Sequence, residues 1–319
     1  MMVSPAYLQA LQQVFGTRLQ TAVPLKRHTA ARLGGMADVM ITASSSAELA
    51  ETAERLWQLG IPFIILGSGS NVLVSDAGVR QVVVLNHARK VIFDQQSQPP
   101  TVWVESGANF GVVARRAATL GLAGLEWASA IPGTVGGAIY GNAGAHGADI
   151  AGNLLMAEIL HLNLVQGAER HDILHEEWTV DRFEYAYRSS LLKRQPGQAM
   201  VLAALLKLEY STPELVKSKM DEYKRLRQIS QPTGASLGSI FKNPPGDFAG
   251  RLIEAAGLKG MKIGKVEVSS KHANFFINQD SATASDYAAL IKLAQQKVQE
   301  KFGVTLELEI EMLGDWSGY

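Results

Sequence analysis

Apolar residues change their spacing along this chain, and the changes mark its elements. The opening stretch MMVSPAYLQALQQVFG spaces its apolar residues as a short amphipathic helix does. Ser45 followed by Glu48 is a capping-box pattern, which predicts a helix to about Leu59 with Gly60 as its stop. Ile61-Pro-Phe-Ile-Ile-Leu66 is then an apolar run that reads as a buried strand. Strand-like runs follow at 72–74, 82–85, 91–93 and 102–104, the last two joined as a hairpin by the polar loop Gln95–Pro100. A helix is predicted over about 109–120, then a glycine-dense segment over 121–147, then more strands to about 210. Thr212-Pro213 suits a helix start, proline taking the first helical position, and that helix runs to about Ile229. A further helix is expected from about Ser285 to Phe302, stopped by Gly303. The end alternates: Val304, Leu306, Leu308, Ile310 and Met312 on one face, Thr305, Glu307, Glu309 and Glu311 on the other. This predicts a last strand over 304–312. Many strands with interspersed helices make the class α+β, with boundaries near 85 and 210.

Composition narrows the chemistry. Hydrophobic residues are 47% of 319, enough for a sizeable core. Lys+Arg and Asp+Glu balance at 30 each, so net charge draws the chain toward neither nucleic acid nor anionic membrane. There is no cysteine, which excludes disulfides, thiolate catalysis and iron–sulfur clusters. The N-terminus lacks the basic region of a secretory signal, and the most apolar run, Met200 to Leu206, is too short to span a bilayer. The cytoplasm is the expected location.

Two glycine segments carry candidate chemistry. Gly67-Ser68-Gly69-Ser70-Asn71 follows a strand, but Val72 stands where a dinucleotide fingerprint needs glycine, and Val72–Asp76 does not open a helix. Such a loop can instead hold a pyrophosphate on consecutive backbone N–H groups. Taken alone, it fits an ordinary turn slightly better. Glycines at 124, 133, 136, 137, 141 and 144 shift the balance, because so many permissive residues cost folding entropy. Backbone lying flat against a large ligand accounts for them. Leu125, Trp127, Ile131, Val135 and Ile139 in the same stretch rule out a flexible linker.

These segments, with Thr29-Ala-Ala-Arg-Leu-Gly-Gly35, resemble the FAD-binding domain of the vanillyl-alcohol-oxidase/cresol-hydroxylase type. More closely, from about 27 to 314, the chain resembles the UDP-N-acetylenolpyruvoylglucosamine reductase family. The resemblance also rests on Tyr187-Arg-Ser-Ser190, Gly238-Ser-Ile-Phe-Lys-Asn-Pro244, Ala249–Leu258, His272-Ala-Asn-Phe-Phe-Ile-Asn278 and Leu306-Glu-Leu-Glu-Ile310. The short passage from Arg188 to Met200 resembles the type without an extra tyrosine-bearing loop. The resemblance implies two FAD-binding lobes, 1–85 and 86–210. It also implies a C-terminal α+β substrate domain, 211–319, whose last strand packs back toward the flavin.

It further implies FAD contacts from Arg32, Gly67, Ser68, Gly69, Ser70, Asn71, Gly124, Ile131, Pro132, Gly133, Thr134, Gly136, Gly137, Asn142, Ala143 and Gly144. Arg188, Ser239 and Glu309 correspond to the catalytic residues. Without the resemblance they read as a salt-bridge partner, a turn residue and a member of a solvated row. Tyr187, Arg227, Lys242, Asn243 and His272 correspond to substrate contacts. NADPH would reduce FAD, which would then pass hydride to the enolpyruvyl ether of UDP-N-acetylglucosamine. Arg188 would hold the developing enolate and Ser239 would protonate it, while Glu309 would help only if protonated or hydrogen-bonded. The product would be UDP-N-acetylmuramate. No metal, nucleic acid, membrane insertion or protein partner is called for. His171 and His175, four apart, read as surface residues because no third ligand accompanies them.

Overall fold

A computed structural model describes residues 5–163 and 172–317. The helices are α1 (Pro5–Phe15), α2 (Ser46–Gln58), α3 (Phe110–Thr119), α4 (Val135–Gly141), α5 (Ile150–Asn153), α6 (Leu191–Arg194), α7 (Pro213–Ser230), α8 (Ala249–Ala255) and α9 (Ala284–Phe302). The chain forms two compact units. One comprises Met1–Ile41, Ser68–Val83 and Arg227–Tyr319; the other comprises Thr42–Gly67 and Val84–Leu226.

The second unit is built on a five-stranded antiparallel sheet. Its strands lie in the order Asp172–Thr179, Leu154–Asn163, Ala199–Lys207, Thr101–Glu105, Val91–Asp94. The most apolar run is therefore the central strand, and Met200–Ala204 and Leu206 are all buried. Gln95–Pro100 does close a hairpin, with the Asp94 carboxylate accepting from the N–H groups of Gln96 (2.9 Å) and Ser97 (3.2 Å). The core beside the sheet gathers Phe110 and Trp127, edge to face at 5.4 Å, with the Trp127 indole donating to Asn153 at 3.0 Å. At α2 the Ser45 hydroxyl accepts from Glu48 N–H (3.1 Å). The Glu48 carboxylate reaches the N–H of Ser44 (2.8 Å), one residue before the expected partner.

The run Ile61–Leu66 is a strand only from Phe63, and Phe63, Ile64 and Ile65 are half-buried rather than buried. Pro62 has no N–H to give a ladder, which shortens the strand at that end. Within the glycine-dense segment lies α4, which the apolar spacing did not predict. Thr134 caps it, accepting from Gly137 N–H at 3.2 Å, and Val135, Ala138 and Ile139 are its buried side. A cap and one apolar stripe outweigh the poor helix propensity of its glycines.

The first unit pairs Leu19–Pro24 antiparallel with the start of Met36–Ala43. It pairs Val72–Val74 parallel with Glu311–Leu313. A small antiparallel sheet runs in the order Lys262–Ile263, Val266–Val268, Phe276–Asn278. Helix α9 packs beside it, with Tyr287 fully buried and its hydroxyl on Phe276 O at 2.9 Å. Thr283 and Asp286 form a full capping box for α9, and Gly303, at φ +68°, ends it as expected.

The expected strand over 304–312 is broken. Leu308 bridges Phe241 and Glu309 N–H donates to Ile240 O (2.8 Å), but Glu311 N–H donates to Asn71 O (2.9 Å). The segment changes partner between 309 and 311, so only Glu311–Leu313 runs as strand. Leu306 and Ile310 are buried, while Val304, Leu308 and Met312 are half-buried.

Residues 239–242 are clasped from the other side by Asn274, which is 2% exposed. Its carboxamide accepts from Phe241 N–H (3.0 Å) and donates to Phe241 O (2.8 Å), and its own carbonyl takes Ile240 N–H (2.9 Å). Removing that carboxamide leaves two buried backbone groups unpaired. Asn274→Ala is expected to lower stability by about 2–4 kcal/mol. Urea unfolding should show a lower midpoint with an unchanged slope; a loss below about 1 kcal/mol would mean that water replaces the clasp.

Candidate active site

In the second unit, Tyr185–Ser190 is docked on the C-terminal end of α4. The Tyr185 hydroxyl donates to Ile139 O (3.0 Å), the Ser190 hydroxyl to Tyr140 O (2.6 Å), and Asn142 Nδ2 to Ala186 O (3.1 Å). Ala186 and Ser189 exchange both backbone hydrogen bonds at 3.1 Å, so Tyr187 and Arg188 sit at the tip of a tight turn. Arg188 occupies the left-handed region, at φ +53°. Its guanidinium donates to the carbonyls of Gly144 (3.0 Å) and Asn142 (3.4 Å). A cation thus meets the carbonyl end of α4, where partial negative charge gathers. Asn142, at φ +45°, caps α4, and its buried Oδ1 accepts no hydrogen bond among the described residues. Ala143 O accepts from Ile150 N–H, and Gly144 pairs with Asp149. Tyr187 is 56% exposed.

The two glycine segments meet at one point inside this unit: a Cβ on Gly67 would lie 2.7 Å from Thr134 Oγ1. Gly136 is also packed, since a Cβ there would meet Ser106 Cβ at 2.8 Å. Gly137 is exposed, and a Cβ there would meet only Thr134 Oγ1, at 3.4 Å. The first N–H groups of α4 are taken: Val135 by Ala108 O, Gly136 by Ser106 O and Gly137 by Thr134 Oγ1. This helix end therefore holds no free donors for an anion. Gly124, at φ +106°, turns the chain into Glu126, whose carboxylate accepts its N–H (2.8 Å). Ile131 packs on the core, Pro132 is exposed, and Gly133 O accepts from Phe110 N–H (3.1 Å).

In the first unit, Gly69 is left-handed at φ +58°, and a Cβ would collide with the His28 carbonyl. None of the N–H groups of Ser68, Gly69, Ser70 and Asn71 donates to a protein group among the described residues. Four successive donors without a protein partner among the described residues, around a left-handed glycine, suit an anion. Asn71 also ties the end of the chain, its Nδ2 donating to Glu309 O at 2.9 Å. Arg32, left-handed at φ +56°, is exposed on a cavity of about 810 Å³ that Lys26, Lys271, Asn278 and Asp280 also line.

Ser239 and Glu309 lie on segments that touch. Ser239 bridges Phe275, and the next residue, Ile240, accepts from Glu309 N–H (2.8 Å). The Ser239 hydroxyl makes no hydrogen bond among the described residues and is half-buried, which leaves its proton to give. Lys242 pairs with Glu307 at 3.3 Å, and Asn243 Oδ1 accepts from Ala249 N–H (3.1 Å) at the start of α8. His272 accepts on Nδ1 from Asn274 N–H at 3.3 Å. Burial holds its pKa below the usual histidine value. Both effects favour the neutral ring with its proton on Nε2. Burial also pushes Arg227 down, and its guanidinium has no partner among the described residues. His175 is exposed, 3.9 Å from Glu158; His171 lies outside the described residues. No group of three or more metal-ligating side chains occurs among the described residues. The apolar spacing missed Asn274; its signal was one polar residue inside Ala273–Ile277, an otherwise apolar run.

Residues 230–313 match the model of the UDP-N-acetylenolpyruvoylglucosamine reductase C-terminal domain, and 37–168 match that of an FAD binding domain. The reductase of Rubrobacter xylanophilus is 42% identical over 92% of this chain and 94% of its own. The chain belongs to the UDP-N-acetylenolpyruvoylglucosamine reductase family. The reductase of Geobacillus kaustophilus is 38% identical over 96% of this chain and 97% of its own. The crystal structure of the reductase from Thermus caldophilus superposes with TM-score 0.74 at 32% identity, covering 93% of this chain and 98% of its own. The fold class is thus α+β, an FAD-binding domain with the family's C-terminal domain. The cofactor is FAD. The free N–H groups of 68–71 suit its pyrophosphate, and the bare exposed backbone at Gly137 suits close approach.

The two neighbouring glycines of α4 separate packing from ligand approach. Gly137→Val is expected to keep the melting temperature of the apoprotein and to weaken FAD at least tenfold, an effect of about 1.4 kcal/mol. Gly136→Val, forced against Ser106, is expected to lower the apoprotein melting temperature. Equal FAD affinity in Gly137→Val and wild type, by fluorescence titration, would make Gly137 a residue of the helix only.

Proposed function

We propose that Arg188, Ser239 and Glu309 carry the chemistry of a UDP-N-acetylmuramate dehydrogenase, with NADPH and the enolpyruvyl ether of UDP-N-acetylglucosamine as substrates. The enzyme is a flavin-dependent oxidoreductase of peptidoglycan precursor synthesis. The observation that carries the division of labour is the unengaged Ser239 hydroxyl, one residue from the peptide group that anchors Glu309. FAD, when bound, supplies the hydride received from NADPH to the methylene carbon of the enolpyruvyl group. Arg188 holds the substrate carboxylate in its guanidinium fork, so that negative charge spreading into that carboxylate is stabilised. Ser239 Oγ gives its proton to the carbon bearing the ether oxygen, completing the lactyl ether. A hydroxyl is a weak acid, and only a strongly basic carbanion can take its proton. Glu309 assists the enolate only as an acid or as its hydrogen-bond partner.

Arg227 is read as the contact for the substrate diphosphate. It has no protein partner among the described residues, and its burial adds to the gain from meeting an anion. Lys242, Asn243, His272 and Tyr187 are read as secondary contacts. Asn243 keeps its amide group available while its oxygen caps α8. Residues 1–85 and 86–210 are assigned to the flavin and 211–319 to the substrate. No described helix is long and apolar enough to cross a membrane. The reading places the enzyme in the cytoplasm, acting without a protein partner.

The cycle has two halves that stopped-flow absorbance separates. Ser239→Ala is expected to bind FAD and to be bleached by NADPH at close to the wild-type rate. Reoxidation by the enolpyruvyl substrate should be slower by about 10²-fold or more, the worth of a positioned general acid. Equal slowing of both halves would make Ser239 a positioning residue, and slowing of neither would return it to a turn residue.

Arg188→Lys keeps the charge but loses the fork. Turnover of the enolpyruvyl substrate should fall by about 10²-fold, with flavin reduction affected far less. Near wild-type turnover would reject the role of Arg188 in holding charge.

A further inference from the structure

Helix α7 is 18 residues long and largely exposed, with Leu215, Leu226 and Ile229 among its exposed residues. Only Val216 is buried; Met220, Tyr223 and Arg227 are half-buried, and every other residue is exposed. These four residues, spaced four, three and four apart, form one stripe. A stripe this thin gives the later half of the helix little hydrophobic anchorage. In that half the Gln228 carbonyl accepts from Lys271 Nζ (2.5 Å), and Tyr223 makes an aromatic contact. The ring of Tyr223 lies flat on that of His146, with centroids 4.1 Å apart and planes within 5°.

His146 sits at the tip of the hairpin formed by Gly144–Ala145 and Ala148–Asp149. Its two central residues both have positive φ, +54° at His146 and +79° at Gly147, as a type I′ turn requires. Asparagine or glycine suits the first of these positions better than histidine. A ring is kept there against the preference of the turn. The root of the same hairpin is Gly144, whose carbonyl takes the Arg188 guanidinium at 3.0 Å. That root is close-packed: a Cβ on Gly144 would lie 2.7 Å from Ala148 O. One short hairpin therefore touches Arg188 at its base and α7 at its tip. Arg227 follows Tyr223 by one helical turn on the same stripe.

We propose that the His146–Tyr223 ring pair is a positioning clamp, which fixes α7 so that Arg227 meets the diphosphate of the nucleotide sugar. This rests on the reading of Arg227 given above. His146 and Tyr223 act through Arg227 and touch no reacting atom. Losing either ring should therefore raise KM for the enolpyruvyl nucleotide sugar, with a smaller effect on kcat and none on flavin reduction by NADPH.

The decisive variant is His146→Asn, which suits the turn and removes the ring. It is expected to melt no lower than wild type and to raise KM roughly tenfold, in the range that a misplaced binding group costs. Tyr223→Ala should match it, Tyr223→Phe should stay near wild type, and the double variant His146→Asn/Tyr223→Ala should be no worse than either single one. The stack has its own readout: the His146 ring protons should lie upfield in the NMR spectrum of the wild type and move downfield in Tyr223→Ala. An unchanged KM in His146→Asn, or a Tyr223→Phe as impaired as Tyr223→Ala, overturns the clamp. Arg227→Gln is the control for the underlying reading. An unchanged KM there removes Arg227 as the diphosphate contact and the purpose of the clamp with it. A raised KM there, with wild-type KM in the ring variants, removes the clamp alone.

Discussion

The peptide groups on either side of Ile240 hold together the segment that carries Ser239. On one side the N–H of Ile240 goes to the carbonyl of Asn274; on the other its carbonyl takes the N–H of Glu309. Phe241 is closed on the first side by the Asn274 carboxamide, and Asn71 secures the second by donating from Nδ2 to the carbonyl of Glu309. Residues far apart in sequence are thus strung on one short stretch of extended backbone. Buried backbone groups must be paired, so the segment cannot shift without breaking several of these bonds at once. The side chain of Ser239 is left out of this arrangement, which keeps its hydroxyl available while the backbone beneath it is fixed.

Economy of another kind governs the glycines. Gly136 and Gly67 lie against Ser106 and Thr134, so bulk is excluded there by the protein itself. Gly69 serves a turn and Gly137 leaves backbone bare to the outside. Among the described residues the four loop N–H groups of 68–71 have no protein partner, whereas those at the start of α4 are consumed by Ala108, Ser106 and Thr134. Unpaired donors therefore lie in the loop and not at the helix end, although both are glycine-rich.

Much of this was legible in the residues. The cap at Ser45 and the stop at Gly303 come from local chemistry, which acts over a few residues and so survives in sequence. The hairpin around Gln95–Pro100 was legible for the same reason. The last strand was not. Its alternation from Val304 to Met312 is real, but the chain changes partner from Ile240 to Asn71 within it, and partners far away leave no periodic trace. Helix α4 was hidden because glycine propensity argues against a helix, and its Thr134 cap and three buried residues decide otherwise. Among site residues, the type of each side chain could be read from the motifs, but what holds it could not. Asn243 turns out to brace α8, and the Asn274 carboxamide pairs both backbone groups of Phe241.

Backbone strain gathers around Arg188 and has a common cause. Asn142, His146 and Arg188 all stand at positive φ without being glycine, at a cost of about 1–2 kcal/mol each. Such residues persist only where neighbours over-determine them. Here Tyr185, Ser190 and Asn142 each give a side-chain hydrogen bond that ties the Arg188 turn to the end of α4. Each contributes about 0.5–1.5 kcal/mol, so together they are of the same order as the strain. A glycine at 188 would remove the strain and with it the guanidinium, so strain is the cost of having an arginine at that place. The turn must point a long planar cation back at two carbonyls, and a left-handed residue reverses the chain sharply enough to do it. The placement of the charge and the distortion of the chain are one structural fact, which is why the docking contacts converge on those few residues and leave Tyr187 beside them exposed.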